Sequence, residues 1–475
     1  MRDRYESPLC ERYASARMQY IFSPDFKFTS WRKMWLYLAE AEKELGLDIT
    51  DEQLDEIRAH LNDVDYDAAA AYEKRLRHDV MAHLRAFADQ CPKAGLILHL
   101  GATSCYVGDN TDVWQLSEAL KSLRGQLLGV MAALSDFALK NADVPTLAYT
   151  HFQAAQPTTV GKRATLWLQD FLMDFDRLTF ELSRLKPLGC KGTTGTGASF
   201  LMLFNGDESK VRALEGLIAR KMGFESCVAV SGQTYTRKVD AFVLNVLSGI
   251  AQSASKMATD LRLLSHLKEF DEPFESEQVG SSAMAYKRNP MRSERVCSLA
   301  RYVMTDALNP AWTAATQWME RTLDDSANRR IALPEAFLAA DAILTLCRNL
   351  ISGGRVYPGV MRRHLNEEMP FMATENILMR AVELGGDRQK LHEKIREYSV
   401  ETAARVKLEG GENDLLDKLK ADPAFHLDDA ALAEILDVKQ FIGCAPSQTR
   451  AFVEEAVRPV LEACGTGDGT DEVRV

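Results

Sequence analysis

No apolar run in this 475-residue chain reaches the roughly 20 residues that a membrane-spanning helix requires. The opening stretch, MRDRYESPLCERY, lacks the apolar core of a secretory signal. Nine cysteines are scattered from Cys10 to Cys464, and none stands in C-x-x-C spacing. That argues against a disulfide framework or a structural zinc site and fits a reducing compartment. Cations are in deficit, with 57 Lys and Arg against 68 Asp and Glu and a formal net charge of −11. A nucleic-acid binder carries the opposite balance. Strand-like alternation is scarce, limited to pieces such as Cys227–Ser231, and no short-period repeat is visible. These absences predict a cytoplasmic protein with no nucleic-acid or membrane partner.

What is present is helical. The chain is 46% hydrophobic and 26% charged, long enough for two or three domains with a substantial core. Val113, Leu116, Leu120, Leu123, Leu127, Val130, Leu134 and Phe137 recur in steps of three and four. A second stripe runs through Val160, Ala164, Trp167, Phe171, Phe175, Leu178, Leu182 and Leu185, opened by Pro157 and closed by Pro187. Val239, Val243, Val246, Ile250, Met257, Leu261 and Leu264 form a third. Such steps place every member on one face, the seam that helices bury in bundles. Each segment is roughly 30 residues, or about 45 Å as a helix, and needs partners along its whole length. Shorter stripes run from Pro290 to Leu308 and from Pro334 to Ile351. The first hundred residues read as short helices broken at Pro24, Gly46 and Pro92. The pattern shortens again after Gly353–Gly354, and the tail Gly465–Val475 holds too few apolar residues to pack.

Polar residues gather out of step with these stripes. Arg75–His83 reads RLRHDVMAH, whose histidines miss the i,i+4 spacing of a helical metal pair. His99–Asn110, HLGATSCYVGDN, offers small hydroxyls ahead of the first long helix. In Tyr149–Thr159, YTHFQAAQPTT, His151 lies just before the expected Pro-initiated helix; histidine titrates near neutrality and suits protonation of a leaving nitrogen. The neighbouring KGTTGTGAS run, Lys191–Ser199, lacks the order of a P-loop. Ser231–Asp240 reads SGQTYTRKVD, and Glu320–Arg330, ERTLDDSANRR, holds three arginines, the best side chains for clamping phosphate or carboxylate. The most informative run is Gln278–Arg292, QVGSSAMAYKRNPMR, in which glycine and paired serines precede cations. That order suits a mobile loop closing over an anionic substrate.

This last run resembles the GSSxMPxKxN signature of the aspartase/fumarase superfamily, departing at Ala285 where the family usually has proline. With the other segments, the resemblance is to the adenylosuccinate lyase family, from Glu11–Ser15 (ERYAS) to Phe371–Asn376 (FMATEN). Argininosuccinate lyase, fumarase and aspartase share the signature loop but not ERTLDDSANRR or GQTYTRK.

The resemblance implies an all-α, three-domain fold (residues 1–103, 104–356 and 357–475), with the middle domain donating long helices to a homotetramer whose active sites are shared between subunits. It implies β-elimination of fumarate from adenylosuccinate and from succinylaminoimidazole-carboxamide ribotide. By motif, Ser281 is the base and His151 the acid, supported by Lys287 and His78, with Glu294 orienting a histidine. Arg12, Tyr13, Arg77, His78, Asp79, Thr103, Ser104, Gln233, Arg295, Arg321, Ser326 and Arg330 match substrate-binding positions. No metal or organic cofactor is implied. The alternatives are another fumarate-releasing lyase, such as argininosuccinate lyase, or a catalytically silent helical scaffold of the same fold.

Overall fold

The computed structural model describes residues 3–467 and 473, so most of the tail expected to fray lies outside the described residues. The principal elements begin with helices α1 (Pro24–Glu44), α2 (Tyr66–Leu76) and α3 (Asp79–Gln90). The 37-residue α4 (Ser104–Lys140) follows, then a hairpin of β1 (Pro145–Thr150) and β2 (Gln153–Thr159). Helices α5 (Val160–Arg184) and α6 (Lys238–His266) lead to the short β3 (Phe270–Asp271). Beyond it lie α7 (Met291–Asp306), α8 (Asp325–Gly353), β4 (Arg355–Val356) and α9 (Pro358–Met372). β4 pairs antiparallel with β3.

Helices α4 to α8 pack on one another around one large core. The three long stripes are that core: Leu120, Leu127, Phe171, Leu178, Val243 and Ile250 are fully buried. Each such side chain contributes about 1.5–3 kcal/mol when removed from water. A second core joins Trp31, Trp35 and Phe87 to Tyr106 at the start of α4 and to Phe200, Leu214 and Ile218. A third collects Ile377, Leu391, Leu415 and Phe425. Among the described residues no helix is long and apolar enough to cross a membrane.

Three local expectations are corrected. Cys227–Ser231 is not a strand; its backbone runs through bends, with Val228 N–H donating to the Pro187 carbonyl. Pro157 does not open a helix but sits in β2 opposite Leu147, and α5 starts only at Val160, capped by the Thr159 hydroxyl accepting from Lys162 N–H. The helix expected from Pro334 begins at Asp325 and carries Pro334 in its interior. Its extra first turns follow no apolar period. They are fixed by Asp325 and Arg329, both held in buried ion pairs.

Candidate active site

A cavity of about 740 Å³ opens where the first turns of α3, α4 and α8 meet. The chain folds this way because each helix is started by a polar break rather than by an apolar residue. α2 ends with Arg77 in the left-handed region (φ 54°), and His78 caps α3, its Nδ1 accepting from Met81 N–H at 3.4 Å. That contact leaves Nε2 to face the Ser104 hydroxyl at 3.3 Å. Thr103 precedes α4 and Asp324 precedes α8, and neither supplies a side-chain cap. Uncapped amides and the positive ends of these dipoles therefore face a shared space, the arrangement that binds anions.

Of the residues predicted from sequence, the cavity gathers Arg77, His78, Asp79, Thr103, Ser104, Gln233, Arg321, Ser326 and Arg330. Arg330 donates to Asp79 at 3.0 Å, and Gln233 is tied through its N–H to the Glu320 carbonyl at 3.0 Å. Lys27, which no motif singled out, also lines the cavity, half-buried near the rings of Phe28 and Trp31. Burial lowers its pKa against the pull of Asp112. It forms no ion pair among the described residues, so it is a cation available to a ligand.

A largely buried lattice of charges forms part of the cavity's lining. Arg237 bridges Asp325 at 2.7 Å and Asp109 at 3.0 Å, and Arg321 reaches Asp325 at 2.8 Å. Arg329 bonds Asp240 and the Tyr235 hydroxyl, each at 2.6 Å. Burial pushes the Asp325 carboxyl up, but Arg237 and Arg321 outweigh it and hold it below the usual range. These groups lay inside the polar motifs, yet pairing between segments some ninety residues or more apart left no sequence signal.

The remaining predicted residues stand apart from this cavity. His151 and Phe152 form the two-residue tip of the β1–β2 hairpin, both left-handed (φ 54° and 57°) and exposed. Neither is a glycine, so the turn is strained where the histidine projects. Ser281 lies in the loop between β3 and α7, its Oγ accepting from Ala283 N–H at 3.3 Å and Met284 N–H at 3.2 Å. Gly280 approaches the Lys287 carbonyl so closely that a Cβ would stand 2.2 Å from that oxygen, and Asn289 Nδ2 donates to the Gly280 carbonyl at 3.0 Å. Lys287 and Glu294 are exposed, and neither side chain forms a polar bond among the described residues. Arg12 and Tyr13 end a short helical turn against α8, and Arg295 lies over the Tyr13 ring at 5.7 Å.

Ala285 occupies the second position of a turn closed by Lys287 N–H on the Met284 carbonyl at 3.0 Å. Proline favours that position. We expect Ala285→Pro to retain turnover and stiffen the loop by about 0.4–1 kcal/mol. Slower proteolysis between Val279 and Arg288 would report it. Unchanged cleavage with lost activity would show that the loop requires alanine.

Comparison with known proteins assigns the chain. A family model described as Lyase matches residues 25–305, and one described as Adenylosuccinate lyase C-terminus matches residues 370–452. An adenylosuccinate lyase of Saccharomyces cerevisiae is 50% identical over 97% of this chain and 96% of its own. One from Schizosaccharomyces pombe is 49% identical over 96% and 95%. The fold matches the crystal structure of 3-carboxy-cis,cis-muconate lactonizing enzyme from Pseudomonas putida with a TM-score of 0.80, at 23% identity, covering 94% of this chain and 98% of that one. With the signature loop, the arginine-lined cavity and about half of the residues identical over nearly the full length in agreement, the chain belongs to the adenylosuccinate lyase family.

Proposed function

We propose that the protein cleaves the carbon–nitrogen bond of adenylosuccinate to give AMP and fumarate, and acts likewise on succinylaminoimidazole-carboxamide ribotide. The observation that carries this reading is the convergence of uncapped helix starts with Lys27, Arg77, Arg321 and Arg330 in a chain of net charge −11. Six Lys and Arg side chains line the cavity against five carboxylates, a slight local excess against the global sign, to which the helix starts add their partial charges. This suits a substrate with a phosphate and two carboxylates. Incubation with adenylosuccinate, argininosuccinate, malate and aspartate separately, following fumarate, tests it. Fumarate from argininosuccinate alone would overturn it.

In this mechanism Ser281, as alkoxide, removes the proton beside a succinyl carboxylate. The two backbone N–H groups on its Oγ favour that charge, and Lys287, a cation of the same loop, adds to it when the loop closes over the substrate. As the carbon–nitrogen bond breaks, His151 gives a proton to the departing nitrogen. His78 supports the phosphate or the acid, and Glu294 orients a histidine. Arg12, Tyr13, Arg77, Asp79, Thr103, Ser104, Gln233, Arg295, Arg321, Ser326 and Arg330 hold the substrate. Removing Arg321 should raise the KM for adenylosuccinate about ten- to a hundredfold, the loss of one charge-assisted bond in a dry site. An unchanged KM in Arg321→Ala would remove it from the clamp.

The protein is further proposed to work as a cytoplasmic homotetramer. Leu166, Met173 and Phe180 stand 47%, 64% and 53% exposed along α5 at seven-residue steps. Such a seam asks for another helix. The proposed division remains residues 1–103, 104–356 and 357–475, with the segment around residues 190–222 packed onto the first unit.

A further inference from the structure

His151 makes no side-chain hydrogen bond among the described residues, so within this chain it is the hairpin stem that sets where the histidine is presented. That stem rests on a buried polar junction. The Glu269 carboxylate, 0% exposed, lies just after α6 and takes His364 Nδ1 of α9 at 2.7 Å and, at 3.4 Å, the buried Thr146 hydroxyl of β1. At the next residue of β1, Leu147 packs on Leu365 and Met369 of α9. Arg163, at the start of α5, donates through Nη2 to the Leu147 carbonyl at 2.7 Å, beside the register shift between Leu147 and Tyr149. Its other terminal nitrogen is buried without a partner.

From this geometry we infer that His364 is a positioning residue for His151, acting through Glu269 on the strand that carries it. The inference rests on the reading of His151 as proton donor. Without His364, the buried Glu269 carboxylate keeps only its long bond to Thr146. The unpartnered Arg163 nitrogen is then the cation best placed to take it, at the expense of the Leu147 carbonyl. Both rearrangements move β1, and a proton donor displaced by about 1 Å loses on the order of a hundredfold in rate. Asp260, Tyr149, Glu367 and Glu368 also bear on Arg163 and Tyr149, but none of them bonds Glu269.

The test compares His364→Ala, His364→Gln and His364→Asn with His151→Ala in kcat and KM for adenylosuccinate. The asparagine amide can occupy the place of Nδ1, whereas the glutamine amide extends toward that of Nε2. We expect the alanine and glutamine proteins to lose kcat about tenfold or more with KM changed less than about threefold, and asparagine to restore most of it. If all three fall equally, or if His364→Ala keeps kcat, the positioning role is wrong. Should the alanine protein fail to fold, the glutamine–asparagine contrast decides. Full activity in His151→Ala would instead overturn the proton-donor reading itself. An inactive His151→Ala beside an active His364→Ala would overturn only the positioning role.

Discussion

His151→Ala and Ser281→Ala proteins should each lose about 10²–10⁴-fold in kcat, the range expected for removing one proton-transfer group. Dissociated together and reassembled, an equal mixture should regain roughly a quarter of wild-type activity if the two residues reach each site from different chains. Each site then has an even chance of receiving an intact histidine and, independently, an even chance of an intact serine. Within one chain, the cavity holding His78, Ser104, Arg321 and Arg330 is lined by neither His151 nor Ser281. His151 sits on the hairpin before the 25-residue α5, while Ser281 follows the 29-residue α6. In the proposed homotetramer, the exposed seam along α5 would be the surface that brings other chains' segments together. Persistent inactivity in verified mixed tetramers would sink the shared site, because a site built within one subunit gains nothing from mixing.

The second large effect is on stability rather than catalysis. Glu42 of α1 is 0% exposed, and neither of its carboxylate oxygens has a partner among the described residues. Burial pushes its pKa from 4.5 up to about 8. The native state therefore keeps a proton that the unfolded chain releases. The contribution of Glu42 to stability is greatest below pH 4.5, falls as pH rises and levels off once pH passes about 8. At pH 7 the loss is on the order of 3 kcal/mol, at about 1.4 kcal/mol per pH unit. Glu42→Gln should match the wild type near pH 4, where the wild-type side chain is largely neutral in both the folded and the unfolded chain. Near pH 8 it should unfold several degrees higher. Thermal midpoints across that range check it; parallel curves for the two proteins would mean that Glu42 has a partner or solvent in the folded protein.

Glu42 also marks where sequence reading ends. In AEAEKE it has the look of a solvated helix face, yet it points into the core beside Tyr106 and Cys190. The long stripes were legible because a three–four period depends only on neighbours along one helix, and burial of one face follows from it. Leu120, Phe171 and Ile250 needed no partner's identity to be assigned to a core. The hairpin was missed for the converse reason. Its turn is His151–Phe152, with none of the Asn-Gly or Asp-Gly chemistry that announces such turns, and Pro157 mimics a helix start.

The sequence by itself determined the helical bundle and the polar segments that interrupt it, because amphipathic period and motif order are local properties of the chain. It also carried the family resemblance, since the signature loop and ERTLDDSANRR are contiguous. Only the tertiary structure decided which of those segments share a cavity. The convergence of α3, α4 and α8, the Arg237–Asp325 and Arg329–Asp240 pairs, and the His364–Glu269 junction under the hairpin all join residues distant in sequence. Their charges acquire meaning only when packing removes water between them, and no pattern along a single chain records that removal.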